Sequence, residues 1–249
     1  MDIIQTIKNK YIINEYKKTN IYIIENIIPE EECENFIKFI EHINKQKVTY
    51  FNGNNVECYI ESMINLLKTN DEEYYYFSTE LNEYNKLIDK IKNKEKISTN
   101  KLNGLFHEDI VKMNIKMNTY VNIAKDLMKT INNNIKFEHH SGFLLRKIYG
   151  KTRLHKDGIT EIYNNSNITF LNENKVEDFR MIRNASIIFS LNDNYDGGEF
   201  NFPYYDLSIK LKKGSMIIFP PYWTHEHETN FLKNNTYRYT INTWTCEII

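Results

Sequence analysis

Cysteine is scarce in this sequence. The three cysteines, Cys33, Cys58 and Cys246, form no CxxC pair, and their number is odd. Disulfide scaffolds and structural zinc sites depend on several cysteines at regular spacings. The sequence therefore predicts neither kind of site, and a reducing compartment is expected.

Long apolar runs and an excess of one charge are also missing. No stretch approaches the roughly 20 apolar residues that a membrane helix needs, and the N-terminus has no apolar run of signal-peptide length. With 32 Lys and Arg against 33 Asp and Glu, the net charge is -1, which argues against a general polyanion binder. We expect a soluble, cytoplasmic protein without a membrane partner or a strong nucleic-acid partner.

Several common catalytic motifs are absent as well. The sequence contains no Walker-type phosphate loop, no GxGxxG, no GxSxG and no HExxH. It is nevertheless rich enough in apolar residues, at 41% with 14% aromatic, to form a packed core. These features indicate a folded protein whose chemistry lies outside the common nucleotide, hydrolase and zinc-protease classes.

The first half of the chain is predicted to be largely helical. Residues 1–19 are interpreted as a short helical lead-in, and 22–24 as a brief strand. Pro29 and the acidic residues 30–32 suit the start of a helix that continues with apolar residues at helical spacing. Residues 107–132 predict a second, amphipathic helix.

The second half of the chain is predicted to be strands. Short apolar segments separated by turn signals at Gly197-Gly198 and Gly214 are typical of a sandwich or jelly roll; they are 143–149, 187–191, 207–211, 215–219 and 237–244. We therefore predict an α+β fold, a double-stranded β-helix (jelly roll) with N-terminal helices packed on one sheet. Residues 1–249 are predicted to be a single domain, with a helical part at about 1–135 and a jelly-roll core at about 136–249.

One constellation carries candidate chemistry. His155-Lys156-Asp157 and the distant Thr224-His225-Glu226-His227 together offer imidazoles and a carboxylate, the 2-His-1-carboxylate set of non-haem Fe(II) oxygenases. On an extended strand His155 and Asp157 project to the same face. His225 and His227 would also share a face on a strand, so alternation does not decide between them as the third ligand.

The order of these and other motifs resembles a known family. Tyr149, His155-x-Asp157, Gly197-Gly198, a distal His and Arg238 followed by Trp244 occur as in the prolyl 4-hydroxylase branch of the Fe(II)/2-oxoglutarate-dependent dioxygenases. The resemblance begins near residue 20 and covers most of the chain, although 47–105 matches no motif of the family.

The resemblance implies roles for individual residues. His155, Asp157 and His227 would bind Fe(II); the spacing to Arg238 favours His227, whereas the spacing from Pro220 favours His225 as the alternative ligand. Arg238 would bind the distal carboxylate of 2-oxoglutarate through its planar fork of donors. Tyr149 and Asn242 are candidate contacts for the same cosubstrate, with Asn242 at a position where relatives often carry a hydroxyl residue.

The resemblance also implies an activity. With Fe(II), 2-oxoglutarate, O2 and ascorbate as cofactors and cosubstrates, the chain is expected to hydroxylate an unactivated C–H bond, namely that of a proline in a peptide or protein. The alternatives are the same chemistry on another side chain, a small molecule or a nucleobase, or a non-catalytic jelly-roll binding module. Substrate choice is expected in the polar segments 47–80 and 158–182, since specificity in such folds lies in loops.

Overall fold

The structure is a computed structural model that describes residues 2–43, 49–50, 57–58, 101–102, 105–137, 139–140, 143–148, 150–158 and 181–248. Within these ranges there are two α-helices, α1 (Glu30–Ile43) and α2 (His107–Met128). Neither has the length and apolar character that crossing a membrane requires.

Strands make up most of the remaining structure. Those that precede α2 are β1 (Ile3–Lys8), β2 (Tyr11–Tyr16), β3 (Ile21–Glu25), β4 (Thr49–Tyr50), β5 (Glu57–Cys58), β6 (Lys101–Leu102) and β7 (Leu105–Phe106). Those that follow it are β8 (His139–His140), β9 (Leu144–Ile148), β10 (Met181–Ser190), β11 (Asp196–Gly197), β12 (Phe200–Phe202), β13 (Leu207–Ile209), β14 (Met216–Phe219), β15 (Glu228–Thr229), β16 (Leu232–Lys233) and β17 (Arg238–Ile248).

A large sheet and a small sheet carry the functional residues. In the large sheet the strand order is β1-β2-β3-β14-β10-β17-β9-β5-β4, with β8 also paired to β17. The small sheet has the order β13-β12-β15. This strand-rich architecture with few helices is consistent with the predicted jelly roll, and the predicted helices at 30–43 and 107–128 are confirmed.

The prediction for the N-terminus is wrong. Residues 1–19 do not form a helical lead-in, because β1 and β2 pair as an antiparallel hairpin with Lys8 opposite Tyr11. Asn9, at the turn, has a φ of 56°, a left-handed conformation that asparagine adopts more readily than most residues. Since β3 pairs with both β2 and β14, residues 3–25 extend the large sheet, and the predicted helical N-terminal part is wrong for this segment.

The two faces of the large sheet have different surroundings. Ile187 and Phe189 of β10 belong to an apolar cluster with Phe36 of α1 and Met117 of α2, all fully buried. Ser186 and Ser190, which alternate with them along β10, are also buried and project to the opposite face. Alternation therefore separates a face that joins this apolar cluster from a face that carries buried polar groups.

A substitution in β10 tests the face that joins the apolar cluster. Phe189→Ala removes a fully buried ring and is expected to lower the free energy of unfolding by about 3–5 kcal/mol. Chemical denaturation measures this change. Ile182→Ala, on the same strand but with a side chain that is 40% exposed, is the control, and equal losses in the two variants would contradict the packing described.

Candidate metal centre

Two histidines far apart in sequence are held together by their backbones. His155 N donates to His227 O at 3.0 Å, and His227 N donates to His155 O at 2.8 Å. Residues paired in this way lie directly opposite each other in an antiparallel bridge, so their side chains share a face. The two imidazole rings accordingly lie 4.4 Å apart between centroids.

Asp157 completes the group. One carboxylate oxygen lies 3.3 Å from His155 Nε2, and the other lies 3.9 Å from His227 Nε2. One ligand atom from each of the three residues falls within 4.8 Å of the others, a geometry that suits a metal ion. Residues 150–158 contain no named strand, so the predicted strand is replaced here by an extended segment attached through the His155–His227 bridge.

Both histidines present the same nitrogen to the centre of the group. His155 Nδ1 lies 2.7 Å from Arg153 O, and His227 Nδ1 lies 3.0 Å from His225 O. A carbonyl oxygen only accepts, so each Nδ1 carries a proton, and Nε2 is the nitrogen that each ring turns toward Asp157. A backbone contact of this kind is what fixes the orientation of a metal-binding imidazole.

His225 lies outside this group. It ends a 3₁₀ turn, Trp223–His225, so the expectation that it shares a strand face with His227 is wrong. Its Nε2 lies 2.5 Å from Thr19 O, and its Nδ1 lies 2.9 Å from the Thr224 hydroxyl. Both ring nitrogens are therefore engaged in hydrogen bonds, and the structure brings His227 to His155 and Asp157.

The protonation states in the group suit metal binding. Burial would raise the pKa of Asp157, but the hydrogen bond with His155 and the charge of His227 hold it well below its usual range. Burial lowers the pKa of His227 to about 4, against the opposing effect of Asp157. At neutral pH the carboxylate is therefore charged and this imidazole is neutral, as metal ligands must be.

Two further residues fix Asp157. The Ser186 hydroxyl donates to Asp157 Oδ2 at 2.7 Å, and Arg183 Nη1 donates to the Asp157 backbone carbonyl at 2.7 Å. Arg183 also lies 4.0 Å over the ring of Trp244. Sequence reasoning assigned no role to Ser186 or Arg183; the available signal was a buried strand in which serines alternate with apolar residues.

Arg238 is buried at the start of β17, with 2% of its surface exposed. Its Nη1 donates to Gly198 O at 2.6 Å, and its guanidinium lies 4.6 Å from the ring of Phe200. Burial lowers its pKa to about 10, so the side chain is still charged at neutral pH. Its Nε has no hydrogen-bond partner among the described residues.

The polar row on β17 continues beyond Arg238. Thr240 and Asn242 share its face and are almost fully buried. The described part of the chain offers no partner to Thr240 Oγ1 or Asn242 Oδ1. Buried polar atoms of this kind are usually satisfied, so the row indicates a place where a polar molecule binds.

β12 connects this row with the histidines. Phe200 contacts Arg238, and Phe202, two residues further on, lies 5.7 Å from the ring of His227. Alternate residues of a strand are roughly 7 Å apart. The guanidinium and the His-Asp-His group therefore lie against two neighbouring residues on the same face of β12.

Some predicted residues cannot be placed. Tyr149 lies outside the described residues, as does most of the predicted specificity segments 47–80 and 158–182. Of the residues predicted from sequence, the structure brings His155, Asp157 and His227 together and places Arg238 and Asn242 on one buried face.

Comparison with known proteins adds independent information. Residues 147–246 match the family model of the 2OG-Fe(II) oxygenase superfamily. The family that this segment resembles uses Fe(II), 2-oxoglutarate and O2. Among curated proteins, no sequence matches this chain.

Solved structures resemble the chain as a whole. A viral collagen prolyl hydroxylase from Paramecium bursaria Chlorella virus-1, in complex with 2-oxoglutarate, is 16% identical; the match covers 92% of this chain and 97% of the viral one, with a TM-score of 0.49. A prolyl hydroxylase from Trichoplax adhaerens, bound to a hypoxia inducible factor peptide, is 12% identical; that match covers 92% and 84%, with a TM-score of 0.52. The Trichoplax protein therefore shares the fold of this chain.

The donor groups of the matched segment fit the cofactors of the family that it resembles. Two imidazole nitrogens and a carboxylate are the ligand set that non-haem Fe(II) oxygenases use. A buried guanidinium with an unpartnered N–H suits a carboxylate, since its planar donors match carboxylate geometry.

Substitutions of the two candidate distal ligands are expected to have different effects on metal binding. His227→Ala removes one of the three nitrogen and oxygen donors that meet at this centre, so metal binding is expected to be lost. His225→Ala is expected to keep metal binding, because both nitrogens of His225 bond elsewhere. Titration with Mn(II) followed by electron paramagnetic resonance measures both affinities, and equal retention would mean that neither residue coordinates.

Ser186 tests how Asp157 is held. Ser186→Ala removes the hydroxyl that donates to Asp157 Oδ2, and a loss of roughly 10- to 100-fold in Mn(II) affinity is expected, as for other contacts that orient a metal ligand. Ser208→Ala is the matched control, since Ser208 is exposed on β13. An unchanged affinity in the Ser186 variant would exclude an orienting role.

Proposed function

We propose that His155, Asp157 and His227 bind Fe(II), that Arg238 binds the distal carboxylate of 2-oxoglutarate, and that the chain hydroxylates a proline in a peptide or protein. The observation that carries the proposal is the convergence of these three side chains within 4.8 Å. It is supported by a buried guanidinium with an unpartnered N–H on the neighbouring part of the same face.

Each residue of the chain has a definite task in this proposal. Bound Fe(II), with 2-oxoglutarate and O2, supplies the oxidising chemistry that no protein side chain provides. His155 and His227 would offer imidazole nitrogens and Asp157 a negative charge, which would leave other coordination positions free for the cosubstrates. Phe202 and Phe219, whose rings lie 5.7 Å and 4.8 Å from that of His227, exclude water from one side of the group.

Arg238 acts at the other end of the cosubstrate. Its Nη1 is fixed by Gly198 O, and Gly198 belongs to the turn that the sequence marks with two glycines. Because its charge is buried and its Nε has no partner in the described structure, a bound carboxylate would satisfy it. The same contact would orient the 2-oxo group toward His155, Asp157 and His227.

A peptidyl proline is supported as the substrate by two features. The Trichoplax protein that shares this fold is a prolyl hydroxylase in complex with a peptide. In addition, Tyr222 and Trp223 are 42% and 67% exposed beside the centre, since the neighbouring Pro221 carbonyl accepts from Gly158 N, the residue after Asp157. Exposed aromatic side chains are a common way to bind proline-containing segments.

The proposal includes the organisation of the chain. We infer that residues 1–249 form one domain, in which α1 and α2 support a jelly roll from one side of the large sheet. This is supported by the pairing of β3 with β14 and by the apolar cluster that both helices share with β10 and β17.

Turnover with a proline-rich peptide tests the function. The full chain with Fe(II), 2-oxoglutarate and O2 is expected to release succinate and to add one oxygen atom to the peptide at proline. Nuclear magnetic resonance measures succinate, and mass spectrometry locates the modified residue. Asp157→Ala is expected to abolish both products because it removes the charged ligand.

The controls separate the alternatives. Asp126→Ala, at a residue whose side chain is 76% exposed on α2, should retain full activity. Succinate release that proline peptides do not stimulate would point to another substrate of the same chemistry. Failure of the wild-type chain to bind Mn(II) or 2-oxoglutarate would refute the proposal.

A further inference from the structure

A second guanidinium, that of Arg146, lies on the same face of the large sheet as Arg238. The preceding residue on β9, Leu145, is fully buried in the apolar cluster that contains the helices, so Arg146 projects to the opposite face. In the register of β9 with β17, Arg146 lies opposite Thr240 and Ile148 lies opposite Arg238. Arg146 is therefore level with the middle of the polar row formed by Arg238, Thr240 and Asn242.

The charge of Arg146 has no partner within the described residues. No hydrogen bond or ion pair of its side chain is found there, and its Nε is buried without a hydrogen-bond partner. This differs from the neighbouring Lys147, which projects to the other face and pairs with Glu41 at 2.8 Å. A buried donor on a charged group costs free energy when it is left unsatisfied, so the face that holds Arg146 is suited to an anion.

Arg146 lies on the metal side of Arg238 in the register of the large sheet. Ser186, whose hydroxyl donates to Asp157 Oδ2, lies opposite Trp244 of β17. Arg146 lies opposite Thr240, which is two residues from Arg238 in the direction of Trp244. Arg146 is therefore placed between Arg238 and the end of the polar row that is nearer to Asp157.

Two neighbouring cations on one face require a ligand with matching charge. Asp157 already faces the imidazoles, so its charge is not available to Arg146. A molecule with two carboxylates would meet one guanidinium at each end and would relieve the repulsion between them.

We propose that Arg146 is a second cosubstrate-binding residue, which contacts the 1-carboxylate of 2-oxoglutarate while Arg238 contacts the distal carboxylate. This inference rests on the proposed function. It assigns the metal end to Arg146 because Arg146 lies on the Asp157 side of Arg238 in the sheet register. It assigns the distal end to Arg238 because that residue is held against Gly198 and Phe200.

The binding of two different 2-oxo acids distinguishes the role of Arg146 from that of Arg238. 2-Oxovalerate keeps the 1-carboxylate and the 2-oxo group of 2-oxoglutarate and lacks the distal carboxylate. Equilibrium binding of each acid to the Mn(II)-loaded full chain, measured by calorimetry without turnover, gives affinities for the wild type, Arg146→Met and Arg238→Met.

The expected pattern is specific. Arg146→Met should lower the affinity for both acids by roughly 10- to 100-fold, the loss typical of a charge-assisted hydrogen bond. Arg238→Met should weaken 2-oxoglutarate by a similar factor and 2-oxovalerate by less than threefold. Lys147→Met, which removes a cation from the opposite face of the same strand, should leave both affinities unchanged.

Other outcomes overturn the inference. A 2-oxoglutarate affinity within twofold of wild type in Arg146→Met would show that Arg146 does not bind the cosubstrate. Weaker binding of 2-oxoglutarate alone would place Arg146 at the distal carboxylate and contradict the assignment. Equally weakened binding in Lys147→Met would show that the loss follows from removing any positive charge on this strand.

Folding and the proposed function are controlled separately. Thermal melting and Mn(II) affinity show whether Arg146→Met is folded; if it is not, Arg146→Lys decides, with about tenfold weaker binding of both acids expected because the planar fork is lost. Unchanged binding in Arg146→Lys would then overturn the inference.

A wild-type chain that binds Mn(II) but neither acid would refute the proposed function as well. Normal binding by the wild type together with unchanged binding by the Arg146 variant would refute this inference alone.

Discussion

The candidate centre depends on the two backbone hydrogen bonds that join His155 to His227. They place two imidazoles on one face although the residues are far apart in sequence, and they leave each Nδ1 to bond a carbonyl oxygen. Asp157 needs only to continue the same extended segment to reach both rings. Any change that separates the segment around residue 155 from the segment around residue 227 would move His227 away from both His155 and Asp157.

The large sheet allows a polar site to form inside an apolar protein. Alternate residues of β10 and β17 project to opposite faces, so the same strands supply the apolar cluster under the helices and the buried serine, threonine, asparagine and arginine side chains of the other face. Buried polar atoms without partners are costly. Their concentration on one face, next to the group of His155, Asp157 and His227, is explained if this face binds a charged cosubstrate.

Local sequence patterns predicted much of the structure. The acidic start of α1, the apolar spacing of α2 and the short strands of the second half were all confirmed. The hairpin of β1 and β2 was missed because its residues alternate only weakly and its turn contains Asn9 in place of a glycine. The positions of Ser186 and Arg146 on the buried polar face were also missed, since only strand register places them there.

The sequence by itself determined the chemical groups: the His-x-Asp pair, two candidate histidines further on, and an arginine ahead of a tryptophan, in the order of an oxygenase domain. Tertiary structure alone placed His227, and not His225, beside His155, because a 3₁₀ turn directs His225 to Thr19 and a backbone bridge joins His227 to His155. It also decided that Arg146 faces the polar row while Lys147 faces the helices. The physical reason is that residue identity is local, whereas which side chains meet depends on hydrogen bonds between distant strands.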